Sequence, residues 1–222
     1  MGILRSSYSK AIWLLAAGFF TIGSVSAATL QVICDNDFAL FAGTSNGVSR
    51  LVYQNDFEWP TQIANAASLD VNLLPGETTF YLLGMGGGGD ENIGGTLNGV
   101  DFTSINILQS SDISSYLPNY FDYEDGEVVY PRVADGAYSA SLADVQAAFP
   151  HVSWNSPTVV YEGVGTYVTG SAFYIPTGTA TLFRFSGDSV GITAAIPEPS
   201  TYALFGLGAL ALVVACRRKL AA

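Results

Sequence analysis

The sequence predicts an all-β domain, an antiparallel β-sandwich of jelly-roll type with one short helix, set between an N-terminal signal peptide and a C-terminal single transmembrane helix. Three observations carry that expectation. Short runs rich in β-branched and aromatic residues recur between turn dipeptides such as Asn46-Gly47, Pro75-Gly76 and Asn98-Gly99. A single internal segment, residues 141–149, has helical punctuation at both ends. Both chain ends carry apolar stretches beside basic residues, which belong to targeting and stand outside the fold.

At the N-terminus, Arg5 and Lys10 form a basic region, residues 11–23 are apolar, and Val25-Ser26-Ala27 supplies the residues that signal peptidase reads. Residues 1–27 are therefore assigned to a signal peptide, residues 28–195 to the exported domain and residues 196–222 to a C-terminal signal. The exported part has the length of one domain. Cys34 is its only cysteine and Cys216 lies in the tail, so no disulfide can form within the domain and its stability must come from a packed core. Cys34 reads as a small buried residue rather than a reactive thiol. The bulky Ile33 before it argues against a lipoprotein cleavage site.

From Asp35 onward, residues 38–42 and 48–54 read as strands joined by Gly43-Thr44-Ser45-Asn46-Gly47. Those five residues also satisfy Gly-x-Ser-x-Gly. A nucleophile elbow requires a helix after the serine, and the following Val-Ser-Arg-Leu-Val-Tyr is β-branched and aromatic, so the hairpin reading is preferred. Residues 69–73 alternate and residues 79–83 follow Pro75-Gly76, which predicts a second hairpin. Residues 84–95 are glycine-dense and read as a loop at a sheet edge. That loop has no Lys, and Asp90-Glu91 would repel phosphate, which excludes a nucleotide cradle; Asp90, Glu91 or Asn92 could supply oxygen ligands. Residues 100–108 are expected to form another strand.

The middle of the chain interleaves Tyr116, Tyr120, Phe121, Tyr123 and Tyr130 with acids. Asp122, Glu124, Asp125 and Glu127 gather hard oxygen ligands around Gly126, a set suited to Ca²⁺, without the twelve-residue spacing of an EF-hand. The plain alternative is a solvated acidic loop. The tyrosines suit stacking on sugar rings, and equally suit inward packing from strands. Ser141 caps the predicted helix with Asp144 at its third position, and Pro150 stops it. His151, the only histidine, has no partner for a zinc site and is placed on the surface. Residues 158–168, 170–175 and 179–186 complete the strands, with Pro176-Thr177-Gly178 as a turn.

The whole chain carries −11, but Arg5, Lys10, Arg217, Arg218 and Lys219 all lie in the targeting segments. Arg50, Arg132 and Arg184 alone face 19 acidic residues, all within residues 35–198. Such a charge excludes nucleic acid as a partner and favours divalent cations or cationic partners. The absence of lysine from the exported part removes Schiff-base and Ser-Lys chemistry. Among enzymes only a carboxylate-pair glycoside hydrolase is left, and 19 acids supply close pairs by composition alone. A non-catalytic binding or structural module, with no cofactor beyond the calcium considered above, accounts for the same features.

The C-terminal segment is the most specific part of the sequence. Pro197-Glu198-Pro199 precedes an uncharged apolar run of 16 residues, 201–216, followed by Arg217, Arg218 and Lys219. As a helix the run rises about 24 Å, short of the roughly 30 Å hydrocarbon core, so it spans only with thinning or snorkelling. The basic flank belongs on the cytoplasmic side, which puts the preceding domain outside the cytoplasm. The two prolines hold Glu198 extended and remove neighbouring backbone donors. This order resembles the PEP-CTERM sorting signal of bacterial envelope proteins over residues 197–219, with Pro197, Glu198, Pro199, Arg217, Arg218 and Lys219 as the matching positions. The resemblance implies that signal peptidase and an exosortase are processing partners. It also implies a membrane tether facing the periplasm before processing, then a place at the cell surface or in the extracellular matrix. In that family the passenger often accompanies exopolysaccharide, so a structural or adhesive module of the biofilm is expected, or a lectin-like carbohydrate-binding one.

Overall fold

The alternation in Ala-Thr-Leu-Gln-Val-Ile-Cys places Ala28, Leu30, Val32 and Cys34 in the interior and leaves Thr29 and Gln31 in solvent, which makes residues 28–34 a strand with one buried face. The structure, a computed structural model, describes residues 27–35, 37–55, 57, 61–62, 67–87, 91–118, 120–124, 127–131, 139–161 and 171–192. The segments expected to be signal peptide, sorting tail and transmembrane helix lie outside these residues. Among the described residues no helix is long and apolar enough to cross a membrane.

In chain order the strands are β1 (Ala28–Cys34), β2 (Asp37–Thr44), β3 (Gly47–Gln54), β4 (Ala67–Val71), β5 (Thr79–Met85), β6 (Glu91–Leu97) and β7 (Val100–Asp101). They continue as β8 (Leu108–Ser110), β9 (Phe121–Glu124), β10 (Glu127–Pro131), β11 (Trp154–Asn155), β12 (Val159–Tyr161), β13 (Ser171–Ile175) and β14 (Ala180–Ser186), with helix α1 (Leu142–Ala148) before β11. One sheet has the order β12-β13-β6-β1-β4, with β7 beside β6. The other runs β11-β8-β14-β5-β2-β3, and β9 pairs with β10 alone. Every pairing is antiparallel.

The two six-stranded sheets face each other across one core. Leu30 and Val32 of β1, Ile93 and Leu97 of β6 and Phe173 of β13 meet Phe38 and Leu40 of β2, Phe80 and Leu82 of β5 and Phe183 of β14. A second cluster covers the outer face of the β11-to-β3 sheet: Phe41, Tyr81, Leu83 and Leu182 pack under Ile113, Leu117, Tyr120, Val145 and Ala148. With both faces covered, β5 is buried at every residue and β2 at all but its last, so neither alternates. A fully buried Phe or Leu contributes about 1.5–3 kcal/mol, and such residues replace the disulfide this domain lacks.

Local expectations hold at several points. β2 and β3 form the predicted hairpin, with Thr44 opposite Gly47 across Ser45-Asn46. Helix α1 has its capping box: the Asp144 N–H donates to Ser141 Oγ at 3.2 Å and the Ser141 N–H donates to Asp144 Oδ2 at 3.3 Å. Cys34 is fully buried, and His151 is exposed, stacked on Tyr116 at 5.1 Å between centroids.

Four readings are corrected. Strand β1 was not expected at all, yet it is central to its sheet. Residues 84–95 are not one edge loop: Gly84 and Met85 end β5, and residues 91–95 belong to β6, between β13 and β1. Their glycines serve close packing. A Cβ on Gly84 would meet Ile175 Cδ1 at 2.5 Å, and one on Gly95, at φ +153°, would lie 1.9 Å from the Gln31 carbonyl oxygen. Residues 69–73 and 79–83 do not form a hairpin, because β4 pairs with β1 whereas β5 joins β2 and β14 in the opposite sheet. The apolar character of β5 on both faces draws it into the sheet that is covered twice. The strand expected over residues 100–108 stops after Asp101, whose Oδ1 accepts from the Thr103 N–H at 2.8 Å and starts a 3₁₀ turn, Phe102–Ser104.

The crossing from β4 to β5 is held by one ion pair. Glu77, nearly buried, accepts from Arg50 Nε at 2.9 Å and Nη2 at 2.7 Å, and from the Leu74 N–H at 2.7 Å. Arg50 Nη2 also reaches the Asn72 carbonyl at 3.0 Å. Burial pushes the Glu77 carboxyl up, but hydrogen bonds from Arg50, the Leu74 N–H and Ser49, with the Arg50 charge, outweigh it and hold the group below its usual range.

Candidate functional site

Of the sequence-predicted calcium set, the backbone places Asp122 and Glu124 on β9 and Glu127 on β10. The antiparallel register sets Glu124 opposite Glu127 and Tyr123 opposite Val128. Asp125 and Gly126, which join the two strands, lie outside the described residues, as does Asp90. Glu91 and Asn92, considered as loop ligands, are buried on β6 at 1 % and 3 % exposure. Among the described residues no three His, Cys, Asp or Glu side chains converge in a metal-holding group.

A polar cluster that sequence reasoning missed closes one end of the sandwich, where β1 hands the chain to β2. Asp37, at 5 % exposure, accepts at Oδ1 from the Phe38 N–H at 2.7 Å and from Asn55 Nδ2 at 2.6 Å. Asn55 Nδ2 also donates to the Phe57 carbonyl at 2.9 Å. Buried Gln62 donates to the same carbonyl at 3.1 Å and accepts from the Cys34 N–H at 3.1 Å. The cluster thus ties Asn55, Phe57 and Gln62 to the end of β1 and the start of β2. Its signal in the sequence was Asp35-Asn36-Asp37, a polar interruption between two apolar strands.

Electrostatics fix what the cluster can do. Burial pushes the Cys34 thiol well up; a backbone hydrogen bond at Met85 opposes this, and the charges of Asp37, Glu91 and Asp35 add to it. A thiol so raised is protonated and a poor nucleophile at neutral pH. Burial also pushes the Asp35 carboxyl up to about 6. The arrangement anchors the end of β1 and the start of β2.

Fold and sequence together define a two-sheet antiparallel β-domain followed by a separate C-terminal signal. Residues 195–219 match the PEP-CTERM protein-sorting motif. The match encloses Pro197, Glu198 and Pro199 and also Arg217, Arg218 and Lys219, and it is confined to the tail. The motif implies an exported protein and an exosortase as its processing partner. No curated protein and no solved structure matches the chain.

Proposed function

We propose that the chain is an exported, exosortase-processed envelope protein whose domain is a non-catalytic structural or adhesive module associated with exopolysaccharide. The sorting motif at residues 195–219 is the observation that carries this reading. Before processing, the C-terminal helix tethers the domain to the membrane on its periplasmic side; afterwards the domain resides at the cell surface or in the extracellular matrix. Its acidic surface and protonated buried thiol support a binding role over catalysis. We read the sandwich as jelly-roll-like on the repeated passage of the chain between the two sheets, as from β1 to β2, β3 to β4 and β4 to β5. The test is co-sedimentation of the purified domain with the host's exopolysaccharide: the polymer is bound and no reducing ends appear. Steady release of reducing ends would instead identify a carboxylate-dependent glycoside hydrolase, and absence of binding would refute association with the polymer.

A calcium-dependent, lectin-like variant of the same reading is favoured by one observation. Glu124 faces Glu127 in the β9–β10 register, and like charges directly opposite in an antiparallel pair are destabilising unless neutralised. Asp122, Glu124, Asp125 and Glu127 are the ligands this variant assigns to Ca²⁺.

A further inference from the structure

On the helix-covered side of the β11-to-β3 sheet, Arg184 interrupts an otherwise buried apolar strand. Among the described residues it is a half-buried cation with no carboxylate in an ion pair with it. The guanidinium carbon lies 4.2 Å from the centre of the Trp154 ring. The charge of Arg184 also acts on the Tyr81 hydroxyl, which donates to the Thr44 carbonyl. Burial pushes the Tyr81 hydroxyl up to about 12 against the opposing pull of Arg184, so tyrosine stays neutral and does not compensate the charge. The only ion pair among the described residues is Arg50 with Glu77.

The half-buried Arg184 lines a cavity of about 230 Å³ where the β2–β3 turn, the start of β5, the start of β8 and the end of β14 meet. Ser45, Thr79, Asn106 and Ser186 present hydroxyl and amide groups to it, and Leu108 gives it an apolar wall. No carboxylate lines it, in a chain with 19 acidic residues. The volume lies below the roughly 300–1,000 Å³ of pockets for drug-sized ligands, so the cavity takes a single small ring or part of one. A guanidinium set over the Trp154 ring presents the planar fork that matches a carboxylate.

We propose that this cavity binds one carboxylate-bearing sugar unit, a hexuronate, with Arg184 gripping the carboxylate, the hydroxyl and amide groups meeting the sugar hydroxyls, and Leu108 meeting the ring's C–H face. The proposal deepens the exopolysaccharide reading and rests on it for the source of the sugar.

The experiment uses the protein purified as exported, titrated by calorimetry with galacturonate, galactose and inorganic phosphate, alongside co-sedimentation with the host's exopolysaccharide. Galacturonate is expected to bind at least about tenfold more tightly than galactose, the worth of one charge-assisted contact. Arg184→Gln abolishes that preference and Arg184→Lys keeps only part of it. Because Arg184 also packs on Trp154, Asn106→Asp provides a second variant: it sets a carboxylate at the exposed rim without touching the stack, and it weakens galacturonate while sparing galactose. Equal binding of galacturonate and galactose, phosphate binding as tightly as galacturonate, or wild-type affinity in a folded Asn106→Asp protein would each overturn the proposal. If the polymer co-sediments equally with wild type and Arg184→Gln, this site is refuted and the broader reading stands. If galacturonate binds through Arg184 but the polymer does not, the broader reading fails and the site stands.

Discussion

Replacing Glu77 by glutamine removes the charge that holds the β4-to-β5 crossing. The carboxylate accepts four hydrogen bonds, two from Arg50, one from the Leu74 N–H and one from Ser49 Oγ at 3.4 Å. The glutamine amide keeps one acceptor oxygen and turns a donor toward groups that are themselves donors. Breaking a fully buried pair by removing one partner costs about 3–5 kcal/mol. Here the Glu77 side chain is 8 % exposed but that of Arg50 is 28 % exposed, so the stranded guanidinium recovers some water. A loss of about 2–3 kcal/mol follows from discounting that range for the rehydration of Arg50. Equilibrium urea unfolding of the exported domain at pH 7 measures it. Because the Glu77 carboxyl is held below its usual value of 4.5, the stabilisation is present above that pH and fades as the pH falls through the lowered value, so wild type and Glu77→Gln converge in acid. Arg50→Met with Glu77→Leu, which removes both charges, is expected to recover roughly half of the loss or more. A Glu77→Gln loss below about 0.5 kcal/mol at pH 7, the level of an ordinary surface substitution, would refute the ion pair as the anchor of the crossing.

Three further outcomes are expected. Gly95→Ala drives a Cβ into the Gln31 carbonyl on β1 and destabilises by about 3 kcal/mol or more, read as a lowered urea midpoint; an unchanged midpoint would contradict the close β1–β6 approach. Asp35→Asn stabilises the domain by about 1 kcal/mol at pH 7, a figure halved or more for solvent screening, because folding disfavours the charged carboxyl. With its carboxyl raised to about 6, that gain vanishes below pH 4, and a gain persisting at pH 3 would show that charge is not its source. Calcium at a hundredfold above its dissociation constant raises stability by about 2.7 kcal/mol, seen as a higher melting temperature than in chelator; Asp122→Asn with Asp125→Asn removes the rise, and identical melting with and without calcium refutes the site.

Much of the fold was legible where local chemistry and tertiary placement agree. The β2–β3 hairpin is written in Asn46-Gly47, and α1 in Ser141, Asp144 and Pro150, because turns and caps are satisfied within a few residues. The partner of a strand is not local. Residues 79–83 follow a turn and look like a returning hairpin strand, but apolar residues on both faces demand burial on both sides, which only the helix-covered sheet offers. Glycines at 84 and 95 were read as loop because they weaken isolated strands, yet each stands where a neighbouring chain leaves no room for a Cβ. The alternation of β1 was present in Leu30, Gln31 and Val32, but its neighbourhood was read for cleavage signals. The polar cluster around Asp37, Asn55 and Gln62 joins residues far apart in sequence; the polar Asp35-Asn36-Asp37 marked one part of it, but nothing in the spacing tied it to Asn55 or Gln62. Arg184 did carry a signal, as one of three cations outside the targeting segments and the sole charge within an apolar strand.

The sorting tail is the central claim, and intact-mass analysis of the envelope-associated protein tests it most directly. In an exosortase-competent host the wild-type protein is expected to lack residues 217–222, while Glu198→Ala is exported but retains them in the membrane fraction. A wild-type species that still carries Arg217, Arg218 and Lys219, or a Glu198→Ala protein released as efficiently as wild type, would contradict processing at the Pro197-Glu198-Pro199 motif.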